Sequence, residues 1–546
     1  NNDEPRPISF SDRVYSPFEI TKDTKQIMDY ALTEFVPKEN IDVPFLSLSR
    51  DRLAENDPKQ GDNLPIWSKF IYYANNILLG LDSILSPGDR PIKGDLKWSD
   101  SPQDILNVEV YMAQIAMQAL AESYGRNIDP KNIKWSYSYP EAFKPSKLRK
   151  YKGLFKKSLN KAINPIEKLE ENIIPSFRSE SLASALYFSK KVPFTSTAIT
   201  IDIGGHTSDI SIFQDQKLLW RSSLELAGRH ILIDLLSNNI DLISSLAVTS
   251  NEIQKAYVKI GKIFELNHPN SERNAIEMLV NSSEFAKTFS DNYLIVSGTE
   301  AGKKLSIVAE IALSGILFYI SRVLKNLHEK GMYHTEHTNT VTVCLGGKAS
   351  LLYKSVFEEQ EDQTGIEELF SQAAGDLVPR ESINFQYTEN PKHEVSHGLL
   401  IDPRGVADLD VENANFDTPL GENVNVGSNE IESTVSVNEL DPGEKWKVND
   451  LKNVKEFCNL LRSNNNILVE IEPTELKNIT DAVTGNLIDA QADLKDYKKL
   501  DIDPNSQDLR GESTTTEPPF VVGLREIILR INDNKNKKIN VKNLQH

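Results

Sequence analysis

The chain has 546 residues, which at roughly 150 residues per domain predicts about three to four domains. Its 79 acidic and 61 basic residues give a net charge of -18, which argues against a general binder of nucleic acid or anionic lipid. A hydrophobic fraction of 39% excludes global disorder and a fibrous fold.

The polar start, Asn1 to Phe10, lacks the apolar core of a signal peptide. Up to about Ser101 the text is mixed, and its one apolar stretch, Ile66 to Leu85, reads as helical. Residues 102 to 124 predict a helix, with Ile105, Val108, Met112, Ile115, Ala119 and Leu120 at helical spacing. A short strand, Lys134 to Tyr139, stops at Pro140, and 146 to 162 is again helical. Ser196 to Ile203 is a β-branched strand that runs into Gly204-Gly205. Asp209 to Phe213 and Lys217 to Leu224 follow as strands. A helix opens at Ala227-Gly228, residues 238 to 296 are mostly helical, and Lys304 to Glu329 is the longest helix. Within it, Ser306 to Ile320 contains Glu310 and is shorter than the roughly 20 apolar residues of a membrane span, so a buried helix is expected. The strand Asn339 to Leu345 meets Gly346-Gly347, and the helix Ser350 to Glu358 follows.

Past Leu400 the composition turns acidic, and residues 401 to 440 read as a linker or exposed insertion. Helical periodicity returns at Leu451 to Leu461 and Val521 to Ile531, and the Lys/Asn-rich end, Asn532 to His546, is expected to fray. Two cysteines, Cys344 and Cys458, build no disulfide framework and no Cys/His zinc cluster. A reducing, cytoplasmic setting is the expectation.

The segment Ala198 to Phe213 concentrates the chemistry. It is a strand, a glycine turn and a return strand, with Asp202 before the turn, Thr207 after it and Asp209 two residues on. Glycines let backbone N–H groups approach phosphate oxygens, and a threonine hydroxyl adds a donor. A carboxylate such as Asp202 can hold a hydrated Mg2+. The same pattern also serves an ordinary hairpin.

This segment resembles the second phosphate-binding hairpin, D-[LI]-G-G-G-T-x-D, of the superfamily of actin, sugar kinases and DnaK-type heat-shock chaperones. Asp202, Gly204, Gly205, Thr207 and Asp209 match, and His206 stands where the third glycine is usual. Four further segments fall in the superfamily's order. Tyr139-Pro140-Glu141-Ala142-Phe143 resembles the V-P-A-x-F turn, and Glu180 to Phe188 resembles the first connecting helix. Leu345-Gly346-Gly347-Lys348-Ala349 resembles the loop that contacts adenosine. Pro391 to Leu400 resembles the second connecting helix, P-x-E-A-x-x-G-A. The resemblance covers about residues 100 to 402. No D-x-G-[TS] hairpin corresponding to the superfamily's first phosphate loop stands in residues 1 to 100, which suggests either a fragment or a degenerate ATPase.

The resemblance implies an α/β fold, a two-lobed actin-like (ribonuclease H-like) ATPase with a C-terminal acidic linker and helical extension. The expected divisions are an N-terminal lobe over 1–195 and a C-terminal lobe over 196–402. A linker or insertion over 403–445 and a helical extension over 446–546 complete the chain. It implies ATP and Mg2+ as cofactors. Glu180, Asp202 and Asp209 would be catalytic, with Asp202 ordering the metal's waters. Gly204, Gly205, His206 and Thr207 would lie at the phosphates, and Gly346, Gly347 and Lys348 at the nucleoside. The implied activity is an ATP-hydrolysing conformational switch, chaperone-like or bacterial actin-like, and the alternative is a catalytically silent scaffold of the same fold. A protein partner or self-association through the lobes or the C-terminal extension is expected, with no nucleic acid and no membrane.

Other features have plainer readings. The basic stretch Lys144 to Lys161 reads as a solvated helix face opposite Leu148, Tyr151, Phe155 and Leu159. His334, Glu336 and His337 read as an exposed loop, His230 as structural and Cys344 as a buried apolar residue.

Overall fold

The computed structural model describes residues 46–49, 70–73, 77–85, 97–99, 101–125, 127–129, 132–143, 145–163, 175–191 and 196–247. It continues over 250–267, 269–337, 339–357, 362–388, 391, 393–401, 419–436, 440–441, 443–499, 517–533 and 538–544. The first ten residues, most of the first hundred, and most of the acidic stretch before residue 419 lie outside the described residues. Helices and several separate sheets make the fold mixed α/β. Two units partition the chain: residues 1–137, 149–177 and 246–288 form one, and 138–148, 178–245 and 289–546 the other.

In the first unit, β1 (Leu46–Ser49) and β2 (Phe70–Tyr73) pair antiparallel. The expected helix over 66–85 is therefore a strand followed by the helix Ile77–Leu85. Phe70-Ile71-Tyr72-Tyr73 is aromatic and β-branched, so strand preference wins there. The helix Asn251–Glu265 packs on Ile77–Leu85 and is capped by Ser250, whose hydroxyl accepts the Ile253 N–H. Lys157 of the basic helix Pro145–Ile163 reaches Glu109 at 2.9 Å, and Phe155 packs between Tyr137 and Phe177. That packing matches the apolar stripe read from the sequence. Two short strands, β3 (Ser136–Tyr139) and β4 (Ser176–Ser179), each cut by the division after Tyr137 and Phe177, form a further two-stranded sheet.

The second unit is organised by a five-stranded sheet in the order β7-β6-β5-β8-β9. The strands β5 (Thr197–Ile203), β6 (Ser208–Gln214) and β7 (Lys217–Leu224) run as an antiparallel meander, and β8 (Val341–Gly346) and β9 (Ile383–Tyr387) join parallel to β5. Every residue of β5, β6 and β8 is buried, as expected of central strands covered on both faces. Alternation along β7 separates those faces. Trp220 points to Tyr319 of the 30-residue helix Glu300–Glu329, whereas Arg221 points to Ser179 and Glu141. The helix Glu180–Lys191 lies on the Arg221 face, where Leu182, Ala185, Leu186 and Phe188 pack with Ala198, Phe213 and Cys344. Cys344 is wholly buried, and burial pushes its thiol up to about 12.

Among the described residues one helix, Glu300–Glu329, is long and apolar enough to cross a membrane. Its most apolar window is 89% buried, matching the core helix expected there. From residue 419 the acidic stretch is folded. Strands β10 (Val424–Val426), β11 (Asn429–Ile431) and β12 (Trp446–Lys447) form a small sheet over buried Leu420 and Trp446. The chain end is not frayed throughout. β13 (Ile467–Ile471) pairs antiparallel with β14 (Ile539–Asn543), so backbone hydrogen bonds order a polar, Lys/Asn-rich segment that buries only Ile539.

Candidate functional site

The site is built where β5, β6 and β8 end together. Asp202 stands opposite Asp209 across the antiparallel pair and beside Gly346 across the parallel pair. Directly opposed side chains have Cβ atoms about 5 Å apart, so the two carboxylates share one face. By alternation that face is the one carrying Ala198 and Cys344, under the helix Glu180–Lys191. Asp202 is 8% and Asp209 3% exposed. Like charges directly opposite and so deeply buried are unfavourable unless donors or a cation compensate. Thr207, also buried, supplies one donor to Asp209 Oδ2 at 3.2 Å.

The turn itself is held by backbone bonds. Gly204 N–H donates to the Thr207 carbonyl at 2.9 Å, closing the hairpin. Gly228 N–H and Arg229 N–H donate to the carbonyls of Gly204 and Gly205, at 3.1 and 2.7 Å. These bonds tie the tip to the π-helical turn Arg229–Ile233, a rare geometry that recurs at functional sites. The helix expected to open at Ala227-Gly228 is thus wound wide over its first turn. Gly205 is exposed, and a Cβ there would meet nothing within 4 Å. His206 replaces a third glycine without strain, its Nδ1 lying 3.1 Å from Arg229 Nη1.

The second glycine turn is far tighter. Gly347 has φ +76°, and a Cβ would come within 2.3 Å of Asp202 Oδ1 and 2.5 Å of the Ile203 carbonyl. Only glycine fits such a place. The loop is closed by Ala349 N–H, which donates to Ile203 O at 3.1 Å. Lys348 is half-buried beside it.

Two residues not singled out by sequence complete the setting. Glu394, in the helix His393–Leu400, is fully buried, and its Oε1 accepts the Gly347 N–H at 3.1 Å. Gly398 of the same helix approaches so closely that a Cβ would strike the Ala183 carbonyl, so it is a packing glycine. The spacing of Glu394 and Gly398 on one face was the available signal. Arg221 forms a buried ion pair with Glu141 at 2.8 Å, Ser181 Oγ donates to Glu141, and Arg221 Nη1 donates to Ser179 Oγ. This network fixes the start of the helix that Glu180 opens, where Glu180 itself is half-buried. The opposite end of that helix carries Phe188 against Gly346. At ~1.5 Å rise per residue, Glu180 lies about 12 Å along the axis from Phe188.

The structure thus brings together Asp202, Gly204, Gly205, His206, Thr207 and Asp209 on one hairpin, and sets Gly346 and Gly347 beside Asp202. Among the described residues no three His, Cys, Asp or Glu side chains form a ready metal cage. Asp202 and Asp209 are the carboxylates here that could hold a hydrated cation, which takes one or two carboxylates and keeps several waters.

No protein-family model and no curated protein matches the chain. Solved structures similar in part include the following two. The ethanolamine utilization protein EutJ from Carboxydothermus hydrogenoformans is 14% identical over 54% of this chain and 74% of its own, with a TM-score of 0.24. The PilM-PilN type IV pilus biogenesis complex is 12% identical over 47% of this chain and 58% of the matched one, with a TM-score of 0.22.

Proposed function

We propose that the chain is an ATP-binding, Mg2+-dependent conformational switch of actin-like fold, with the nucleotide's phosphates at the Gly204-Gly205 turn. The observation that carries this reading is Asp202. It is buried at a strand end, faces a second aspartate, and touches a glycine turn that no other residue type could form. The residues present fit the group: exposed glycine backbone for phosphate oxygens, buried carboxylates for a hydrated cation, and a hydroxyl at Thr207.

The bound nucleotide would supply the phosphoryl group, and its Mg2+ would neutralise charge on it. In this reading Asp202 orients the cation's waters, while Gly204, Gly205 and Thr207 position the phosphates. Gly346, Gly347 and Lys348 face the nucleoside. Asp209 and Glu180 are the acids available to orient the attacking water. The preference for adenine follows from the resemblance of the motifs, and a protein partner or self-association is part of the same reading.

A second reading, a scaffold without turnover, is favoured by His206. Its ring occupies the turn position beside Arg229, where a third glycine would leave open backbone. A fluorescent ATP analogue titrated with Mg2+, competed by ATP and by GTP and followed by phosphate release, separates the two. Competition by ATP with release supports the switch, and competition without release supports the scaffold. Absence of analogue binding would overturn the nucleotide site.

A further inference from the structure

Glu394 is a further buried acid at this end of the sheet. It is 0% exposed, and its Oε1 is used by the Gly347 N–H, yet its Oε2 is buried with no hydrogen-bond partner. A buried carboxylate oxygen left unsatisfied is destabilising and calls for a specific cause, such as an ion or a catalytic role. Its surroundings add to the cost. Gly347 lies between two acids, since Asp202 Oδ1 crowds its α-carbon while Glu394 Oε1 holds its N–H. Asp209 follows across the hairpin, opposite Asp202. Asp202 and Glu394, from two separate chain segments, therefore both border Gly347.

We propose that Glu394 is a second carboxylate ligand, beside Asp202, for a divalent cation held at the Gly346-Gly347 turn. The chemistry required is that of a hard cation, Mg2+ or Mn2+, which takes carboxylate oxygens and completes its shell with waters or phosphate oxygens. The cation site rests on the nucleotide reading only for those phosphate oxygens; the two carboxylates are available without them. Glu394 also anchors the helix His393–Leu400 to the glycine turn, so a cation there would bind the two together.

The test is Mn2+ binding to the full chain by electron paramagnetic resonance, without nucleotide and then with ADP. It is paired with the Mn2+-induced rise in melting temperature, which reports binding to the folded state. Glu394→Gln keeps an acceptor for the Gly347 N–H but removes the charge. It is expected to weaken Mn2+ about 10- to 100-fold and to abolish the Mn2+-induced rise. Glu394→Asp, which keeps the charge at shorter reach, is expected to fall between the two and serves if the glutamine variant does not fold. Wild-type affinity in Glu394→Gln, with binding lost in Asp202→Asn, would overturn the proposal and leave Glu394 a structural anchor. No Mn2+ binding by the wild type at millimolar concentration would overturn it too. Nucleotide binding is read separately. Glu394-dependent Mn2+ binding without ATP binding defeats the nucleotide reading alone, whereas ATP binding with unchanged Mn2+ affinity in Glu394→Gln defeats this proposal alone.

Discussion

Two places in the second unit pair a positive-φ glycine with a fully buried glutamate, and they use the pair differently. In the C-terminal part, Gly421 has φ +69° and lies against Phe520 and Tyr319. Its neighbour Glu422 spends both oxygens on backbone: Oε2 accepts the Asn453 N–H at 3.0 Å and Oε1 the Val454 N–H at 2.7 Å. Those are orphan donors at the start of the helix Lys452–Asn464, so Glu422 is a cap supplied from the bend before β10. At the sheet end, Gly347 and Glu394 share a single N–H bond and leave Oε2 over. The first arrangement is closed upon itself and serves cohesion. The second keeps acidic capacity beside a buried glycine turn at the strand end, which is what a ligand site requires.

The largest effect is expected from Gly347→Ala and Gly421→Ala, each roughly 3 kcal/mol or more, because a left-handed backbone and a close contact combine. Chemical denaturation measures both. Only Gly347→Ala should also abolish cation and nucleotide binding, and equal binding loss in folded Gly421→Ala would erase the contrast.

A smaller effect concerns pH. Burial raises the Glu422 carboxyl to about 7, against the pull of the Val454 and Asn453 N–H groups. Between about pH 4.5 and 7 the folded chain holds a proton there that the unfolded chain has released. The contribution is therefore complete below this window, is lost as pH rises through it, and is flat above; its size is about 3 kcal/mol. Unfolding free energies at pH 5 and 8 should show a slope in the wild type that Glu422→Gln reduces by nearly one proton. Identical slopes would remove the assignment.

The smallest effect sharpens the comparison most. A Cβ at Gly205 meets open space, so Gly205→Ala should change stability by no more than about 0.5 kcal/mol. If phosphates approach this turn, nucleotide affinity should nonetheless fall about tenfold or more, since the methyl stands where the ligand comes. Unchanged affinity would move the phosphates elsewhere.

The hairpin was legible because its strands alternate cleanly and its glycines, threonine and aspartates stand at fixed offsets. The strand ending at Gly346 and the helix Glu300–Glu329 were legible for the same kind of reason. Glu394 was not, since an acid in the first turn of a helix is ordinarily solvated, and only the tertiary contact with Gly347 buries it. Arg221 was hidden similarly: an arginine inside a strand gains meaning only when Glu141, far off in sequence, meets it. The helix Pro473–Lys499 went unread although Ile479, Val483, Leu487 and Ala490 keep helical spacing and are buried. Polar residues on its other faces dilute that stripe. β14 was missed because its order comes from pairing with β13 rather than from its own apolar content.

The most direct test of the account is calorimetric titration of Mg-ATP into the full chain and into Asp202→Ala, at about 0.1 M salt to screen exposed charges. The account predicts micromolar binding by the wild type and its loss in a variant that still folds. Undiminished binding in Asp202→Ala, or no binding by the wild type, would contradict it.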